Sequence, residues 1–146
     1  MDKHLLQQLV LERLTEDLLQ TEQAARVAHE TATHEENIAE NKYDTLGLEA
    51  AYLATGQARR AEAIRHVISA WRQFRPCPYD PSKGIQLGAL VCLVDADDRQ
   101  QYLFLGPSGG SMKLECSGQL VQVISMESPL GSAILGKCEG DEASLQ

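Results

Sequence analysis

The sequence predicts an α+β protein: an N-terminal antiparallel helical hairpin wound as a coiled coil, followed by a small antiparallel β domain. Three observations predict it. Residues 1–75 contain no proline and keep an apolar repeat that steps alternately by three and four. Pro76, Pro78 and Pro81, with Gly84, then break the chain within ten residues. From residue 85 the apolar pattern shortens to runs of strand length, separated by Gly- and Ser-rich turns. The organisation that follows is a coiled-coil finger over 1–75, a Pro-rich linker over 76–84, and a C-terminal domain over 85–146.

The first helix is expected from residue 2 to about 34, with Asp2 as its N-cap. Its seam is Leu11, Leu14, Leu18, Thr21, Ala25, Ala28 and Ala32. Leu5, Leu6, Leu9 and Leu19 widen the apolar face near the start. The second helix is expected from about 42 to 75, capped by Asn37 or Asn41, with the seam Ala50, Ala54, Gln57, Ala61, Ile64, Ile68 and Trp71. Gly47 and Gly56 each cost it about 1 kcal/mol. Reversing the chain at residue 39 or 40 sets the seams face to face, with large side chains meeting at the base and alanines toward the tip. About 30 residues at 1.5 Å each make an arm roughly 45 Å long.

In the C-terminal domain, residues 89–94 and 101–105 read as strands joined by a turn at 95–100. A loop at 106–111, a short strand at 112–116, a turn at 117–119 and an alternating strand at 120–126 follow. Ser128 then caps a short helix whose first turn holds Pro129 and which Gly136 ends. The last residues allow a short closing strand.

The hairpin tip, residues 34–44, masses Glu35, Glu36, Glu40 and Asp44 against the single cation Lys42. Carboxylates crowded at a helix end repel one another. Either water solvates them, or they meet a cation or a basic partner. Behind the tip, residues 50–75 carry Arg59, Arg60, Arg65, Arg72 and Arg75 against Glu62 alone, so an acidic end adjoins a basic shaft. The net charge of −8 excludes general nucleic-acid affinity and predicts no sequence-specific DNA binding. Cys77, Cys92, Cys116 and Cys138 have no metal-finger spacing and read as reduced thiols. The start, MDKHLLQQL, is no signal peptide and no apolar run approaches membrane-spanning length, so a soluble cytoplasmic protein without membrane contact is expected. His29 and His34 read as exposed helix residues. The glycines at 106–110 lack the Lys and the following helix of a phosphate loop, and Ser128 and His66 form no triad spacing.

Two stretches carry a family resemblance. Glu40-Asn41-Lys42-Tyr43 resembles the Glu-Asn-x-x-Tyr of the bacterial Gre-type transcript cleavage factors, one residue shorter. The segment from Ile124 to Glu142, ISMESPLGSAILGKCEGDE, resembles that family's I-S-x-x-S-P-[IL]-x-x-x-[LI]-[IL]-G-K-x-x-G-D-E. The resemblance runs over nearly the whole chain. It implies an FKBP-like C-terminal domain that docks on bacterial RNA polymerase, with a finger that enters the polymerase secondary channel. It further implies that the tip supplies carboxylates to a Mg²⁺ shared with the polymerase, beside the nascent RNA 3′ end. The factor then has no cofactor of its own and is not itself an enzyme; it stimulates the polymerase's nuclease activity on backtracked transcripts. Carried onto this sequence, Glu36 and Glu40 hold the metal, with Asp44 or Glu35 secondary and Tyr43 packing the tip. Arg59, Arg60 and Arg65 face polymerase or RNA, and Ser125, Ser128, Pro129 and Leu130 lie at the docking surface. The family places an acidic residue three positions before the Glu of Glu-Asn, where this chain has Asn37; it often has Arg after its Ser-Pro-Ile-Ala, where Gly131 and Ser132 stand here. A regulator that occupies the same channel without promoting cleavage is the alternative reading, and Asn37 favours it. Prolyl isomerase activity is not expected, because Tyr102 and Phe104 are the only aromatics of residues 85–146.

Overall fold

A computed structural model describes residues 2–38, 45–108 and 112–144. The elements are α1 (Lys3–Ile38), α2 (Thr45–Gln73), β1 (Leu90–Val94), β2 (Gln100–Gly106), β3 (Met112–Cys116), β4 (Gln119–Ser125) and α3 (Pro129–Ile134). The described chain forms two compact units, Met1–Leu11 with Ser69–Gln146, and Glu12–Ile68.

The expected cap of α1 is present: the Asp2 carboxylate accepts from the His4 N–H at 2.9 Å. The seam is also where periodicity placed it. Leu14, Thr21, Ala28 and Ala32 are buried on α1, with Leu11, Leu18 and Ala25 half-buried between them. On α2, Ala61, Ile68 and Trp71 are buried, with Ala50, Ala54, Gln57 and Ile64 half-buried. Thr21 sits in an apolar seam at little cost because its hydroxyl donates to the Asp17 carbonyl one turn back, at 2.8 Å. The helices run antiparallel. Gln7 near the start of α1 bonds to Trp71 and Phe74 at the end of α2, and Glu22 further along α1 pairs with Arg65 earlier on α2.

α1 continues to Ile38, four residues beyond its expected end. Nothing in His34-Glu35-Glu36-Asn37-Ile38 breaks a helix, so propensity carries it on. Asn37 is therefore part of α1 and does not cap α2, which starts at Thr45. Asn41 and the reversal at 39–40 lie outside the described residues.

The sheet has strand order β1-β2-β4-β3. β1–β2 and β3–β4 are antiparallel, but β2–β4 is parallel. The sheet is thus antiparallel-rich, with one pairing that alternation does not reveal. β4 lies between β2 and β3 although it follows both in the chain. The β3–β4 hairpin needs two residues at positive φ, and Ser117 (φ 53°) and Gly118 (φ 79°) provide them.

Both sheet faces carry buried side chains. On one face Leu103, Leu105 and Ile124 form a core with Ile85, Ala89 and Ile134, and Val91, Leu93, Met126 and Leu130 pack on its margin. On the opposite face Phe104, fully buried, meets the rings of Trp71 and Phe74 at centroid distances of 6.0 and 6.2 Å. Gly106 lies under the Trp71 indole, and a Cβ there would overlap the ring. The end of α2 is in this way built into the C-terminal unit.

The expected closing strand does not form among the described residues of the tail. A single reciprocal pair replaces it: Ile85 N–H donates to the Lys137 carbonyl and Gly136 N–H to the Ile85 carbonyl, both at 2.8 Å. Beyond that the tail curls, because the Asp141 carboxylate accepts from Cys138 N–H at 2.8 Å and Asp141 N–H donates to the Cys138 carbonyl at 3.0 Å. All four cysteines are free thiols; Cys116 is buried and Cys77, Cys92 and Cys138 are exposed.

Candidate functional site

At the tip, Glu35 and Glu36 fall in the last turn of α1. Glu40, Lys42, Tyr43 and Asp44 lie outside the described residues, as do the side chains of Glu35 and Glu36. The one-turn relation expected between Glu36 and Glu40 falls there too.

Along the shaft, Arg59 and Arg60 are exposed on α2. Arg65 is differently placed. One terminal nitrogen meets the Glu22 carboxylate at 2.8 Å and the other meets Glu62 at 2.9 Å. These bonds, Glu22 first and Glu62 second, raise its pKa above the usual arginine value. Arg65 therefore ties α1 to α2, and a partner would have to displace an acid to reach it. His66 Nε2 lies 3.3 Å from the other Glu62 oxygen.

The docking candidates are brought together, and the geometry divides their work. Ser125 ends β4, and Ser128 caps α3. The Ser128 hydroxyl donates to the Ser125 carbonyl at 2.7 Å and accepts from Gly131 N–H at 3.0 Å. Pro129 takes the first helical position, where its missing N–H costs nothing, and stays exposed. Leu130 is half-buried on the margin of the core. Ser128 is thus a building residue, while Pro129 and part of Leu130 are what a partner would touch. Leu130 and Ala133 open onto a concave surface of about 990 Å³, with Leu93, Arg99 and Asp141 around it.

Two members of this turn have no assigned role from sequence. Gly131 packs so closely on the Ser125 carbonyl that a Cβ would overlap it. Ser132 donates its hydroxyl to the Met126 carbonyl at 3.1 Å. The signal was the departure itself: glycine and serine at 131 and 132 mark a tight turn locked by side chains.

Two titrating groups lie nearby in the same unit. Asp80 accepts from both the hydroxyl and the N–H of Ser82, at 2.8 and 3.0 Å, and these bonds hold its pKa below the usual carboxylate value. The Tyr79 hydroxyl has its pKa raised, by desolvation first and by its bond with the Cys138 thiol second.

Comparison with known proteins bears on the same stretch. Residues 80–146 match the family model described as transcription elongation factor, GreA/GreB, C-term. The chain is 42% identical over 60 residues to the transcription elongation factor GreA of Maridesulfovibrio salexigens; the match takes in 40% of this chain and 33% of that protein. The chain thus spans about a third of the length of this curated relative. It is also similar to GreA factor homolog 1 (Gfh1) of Thermus thermophilus, whose crystal structure aligns with 92% of this chain and 84% of that one, at 22% identity and a TM-score of 0.33. No helix among the described residues is long and apolar enough to cross a membrane.

Proposed function

We propose, from the family-model match over residues 80–146, that the chain belongs to the GreA/GreB family of transcription elongation factors and is an accessory factor of bacterial RNA polymerase which stimulates cleavage of backtracked transcripts. The C-terminal unit docks, and the hairpin tip works inside the polymerase's own centre through the secondary channel. The observation that carries this reading is the family-like segment from Ile124 to Glu142, folded as a side-chain-locked turn that leaves Pro129 exposed. It sits in the unit that also holds the roots of helices of 36 and 29 residues.

Glu36 and Glu40 would hold Mg²⁺ jointly with the polymerase, with Asp44 or Glu35 in reserve. The donor set fits, since carboxylate oxygens are the hard ligands Mg²⁺ takes one or two at a time. When bound, the ion would supply charge stabilisation in a two-metal hydrolysis. The chain's own part is to carry the carboxylates and to exclude bulk water around them. Arg59 and Arg60, exposed and without an acid between them, suit a negatively charged channel wall or the nascent RNA. The test is transcript cleavage in stalled, backtracked complexes. The wild type should accelerate it, and Glu40→Ala should abolish the acceleration while leaving co-purification with polymerase intact. Absence of acceleration by the wild type would overturn the reading.

Asn37 favours a second reading, in which the factor occupies the channel without promoting cleavage. It stands in α1 where the family pattern has an acid, and a neutral amide is the weaker ligand for Mg²⁺. Binding to polymerase with protection of backtracked RNA would select this reading.

A further inference from the structure

Gly56 is a glycine for which α2 has no internal use. It lies in the helix interior, has no positive φ, and a Cβ there would meet nothing within 4 Å. Glycine weakens a helix interior relative to alanine, and no close approach within the described chain offsets that. The surface around it is distinctive as well. Tyr52 and Leu53, 69% and 56% exposed, stand before it, and Arg59 and Arg60, both exposed, stand after it. Glu49 and Ala63, exposed too, flank these on either side. At about 100° and 1.5 Å per residue, all six project within about 60° of Gly56, with Tyr52, Leu53, Arg59 and Arg60 roughly 4–6 Å from it along the axis. Among the described residues the side chains of Glu49, Tyr52, Arg59 and Arg60 meet no hydrogen-bond or ion-pair partner; Glu62, the acid closest to the arginines in sequence, is taken by Arg65 and His66.

We propose that this face of α2 binds the same face of a second copy of the chain, antiparallel, with the two helices crossing at Gly56. The face is self-complementary about that glycine. A two-fold axis there reverses the order along the helix and keeps each flank on its own side. Tyr52 and Arg59 share one flank, so the Tyr52 ring comes level with the partner's Arg59, and a guanidinium over a tyrosine face is attractive. Glu49, Leu53 and Arg60 share the other flank. There the partner's Arg60 comes level with Leu53, lays its apolar stem on it and carries its charge toward Glu49. Each contact occurs twice. Glycine meeting glycine lets the two backbones approach closely, since the side chains at a helix crossing set its distance. A polyanion on this face would meet Glu49 and leave it unpaired; a second copy pairs it. The contact is a single helix crossing, small beside the roughly 1,200–2,000 Å² of stable interfaces, so the association is weak and reversible. The inference is independent of the proposed function.

The test is sedimentation equilibrium of the full chain under reducing conditions, which keep the exposed thiols of Cys77, Cys92 and Cys138 from cross-linking. The wild type should show a monomer–dimer equilibrium with a dissociation constant between about 10 μM and 1 mM. Gly56→Leu puts a good helix former in place of glycine. The circular-dichroism helix band should therefore hold or grow, while the association weakens by about ten-fold or more. Glu49→Arg and Arg60→Glu each set like charges against one another across the two-fold, and each alone should associate at least about ten-fold more weakly than the wild type. Mixed together, the two variants should form a one-to-one dimer about as tight as that of the wild type, because each supplies the charge the other has lost. Positions 49 and 60 are roughly 16 Å apart along one helix, so only a contact between chains restores the association. A wild type that stays monomeric up to about 1 mM would overturn the inference. So would association that survives Gly56→Leu or either charge reversal, or a mixture of the two charge variants that stays monomeric.

Discussion

Replacing Ser128 by alanine removes both hydrogen bonds that define the turn between β4 and α3. The hydroxyl accepts from Gly131 N–H at 3.0 Å, which is the N-cap bond of a six-residue helix. It also donates to the Ser125 carbonyl at 2.7 Å, which retains the bond from Ser128 N–H at 3.2 Å. Loss of a cap costs about 0.5–2 kcal/mol, and the second bond adds about 0.5–1 kcal/mol. Because α3 carries Ile134, fully buried in the core, the loss is felt by the whole unit, and a total of about 1–3 kcal/mol is expected. Urea unfolding followed by fluorescence reads it directly, since Trp71 is the single tryptophan and is buried in that unit. For a slope of about 1–3 kcal/mol/M, the midpoint should fall by roughly 0.3–3 M. Ser128→Asp keeps the acceptor but lacks the donor, and should recover the larger part of the loss. An alanine variant within about 0.3 kcal/mol of the wild type would refute the assignment of Ser128 as a building residue; that is the scale expected of an ordinary surface substitution.

Gly56 lies within α2, and a Cβ there meets nothing within 4 Å; Gly56→Ala should stabilise the helix by about 1 kcal/mol, seen as a higher melting temperature by circular dichroism at the helix band. Gly106→Ala should destabilise by about 1–3 kcal/mol through overlap with the Trp71 ring, with a shift in tryptophan emission before global unfolding. Asp80 titrates below its usual value in the folded chain because of Ser82. The unfolded chain therefore binds its proton first as pH falls, so the contribution to stability is complete above the unfolded value near 3.8 and is lost as pH drops through the folded one. Asp80→Asn should flatten the acid limb of stability against pH over that window, by lowering stability at neutral pH and leaving it unchanged below the folded value.

Much of the fold was legible because its causes are short-range. Both helical seams, the Asp2 cap, the four strands and the Ser128-Pro129 helix start follow from spacing and capping chemistry within a few residues. The end of α1 was misplaced because an acidic run suggested a turn, although none of its residues breaks a helix. Among the proposed site residues, the metal-holding carboxylates were chosen by residue type and resemblance. Arg65 could not be told from Arg59 and Arg60 by sequence, since its engagement depends on Glu22, far away in the chain and on the other helix.

By itself, the sequence determined which segments are helix or strand, where the chain changes from one to the other, and which family its C-terminal segment resembles. Local periodicity and turn residues act over one or two turns and need no knowledge of the remainder. Only the tertiary structure decided that β4 lies parallel to β2, that Trp71 and Phe74 belong with the sheet, and that Gln7 completes the end of α2. Those outcomes depend on which distant backbone groups and apolar faces meet when the chain closes, and a buried carbonyl accepts whichever donor the closed chain brings within about 3 Å of it.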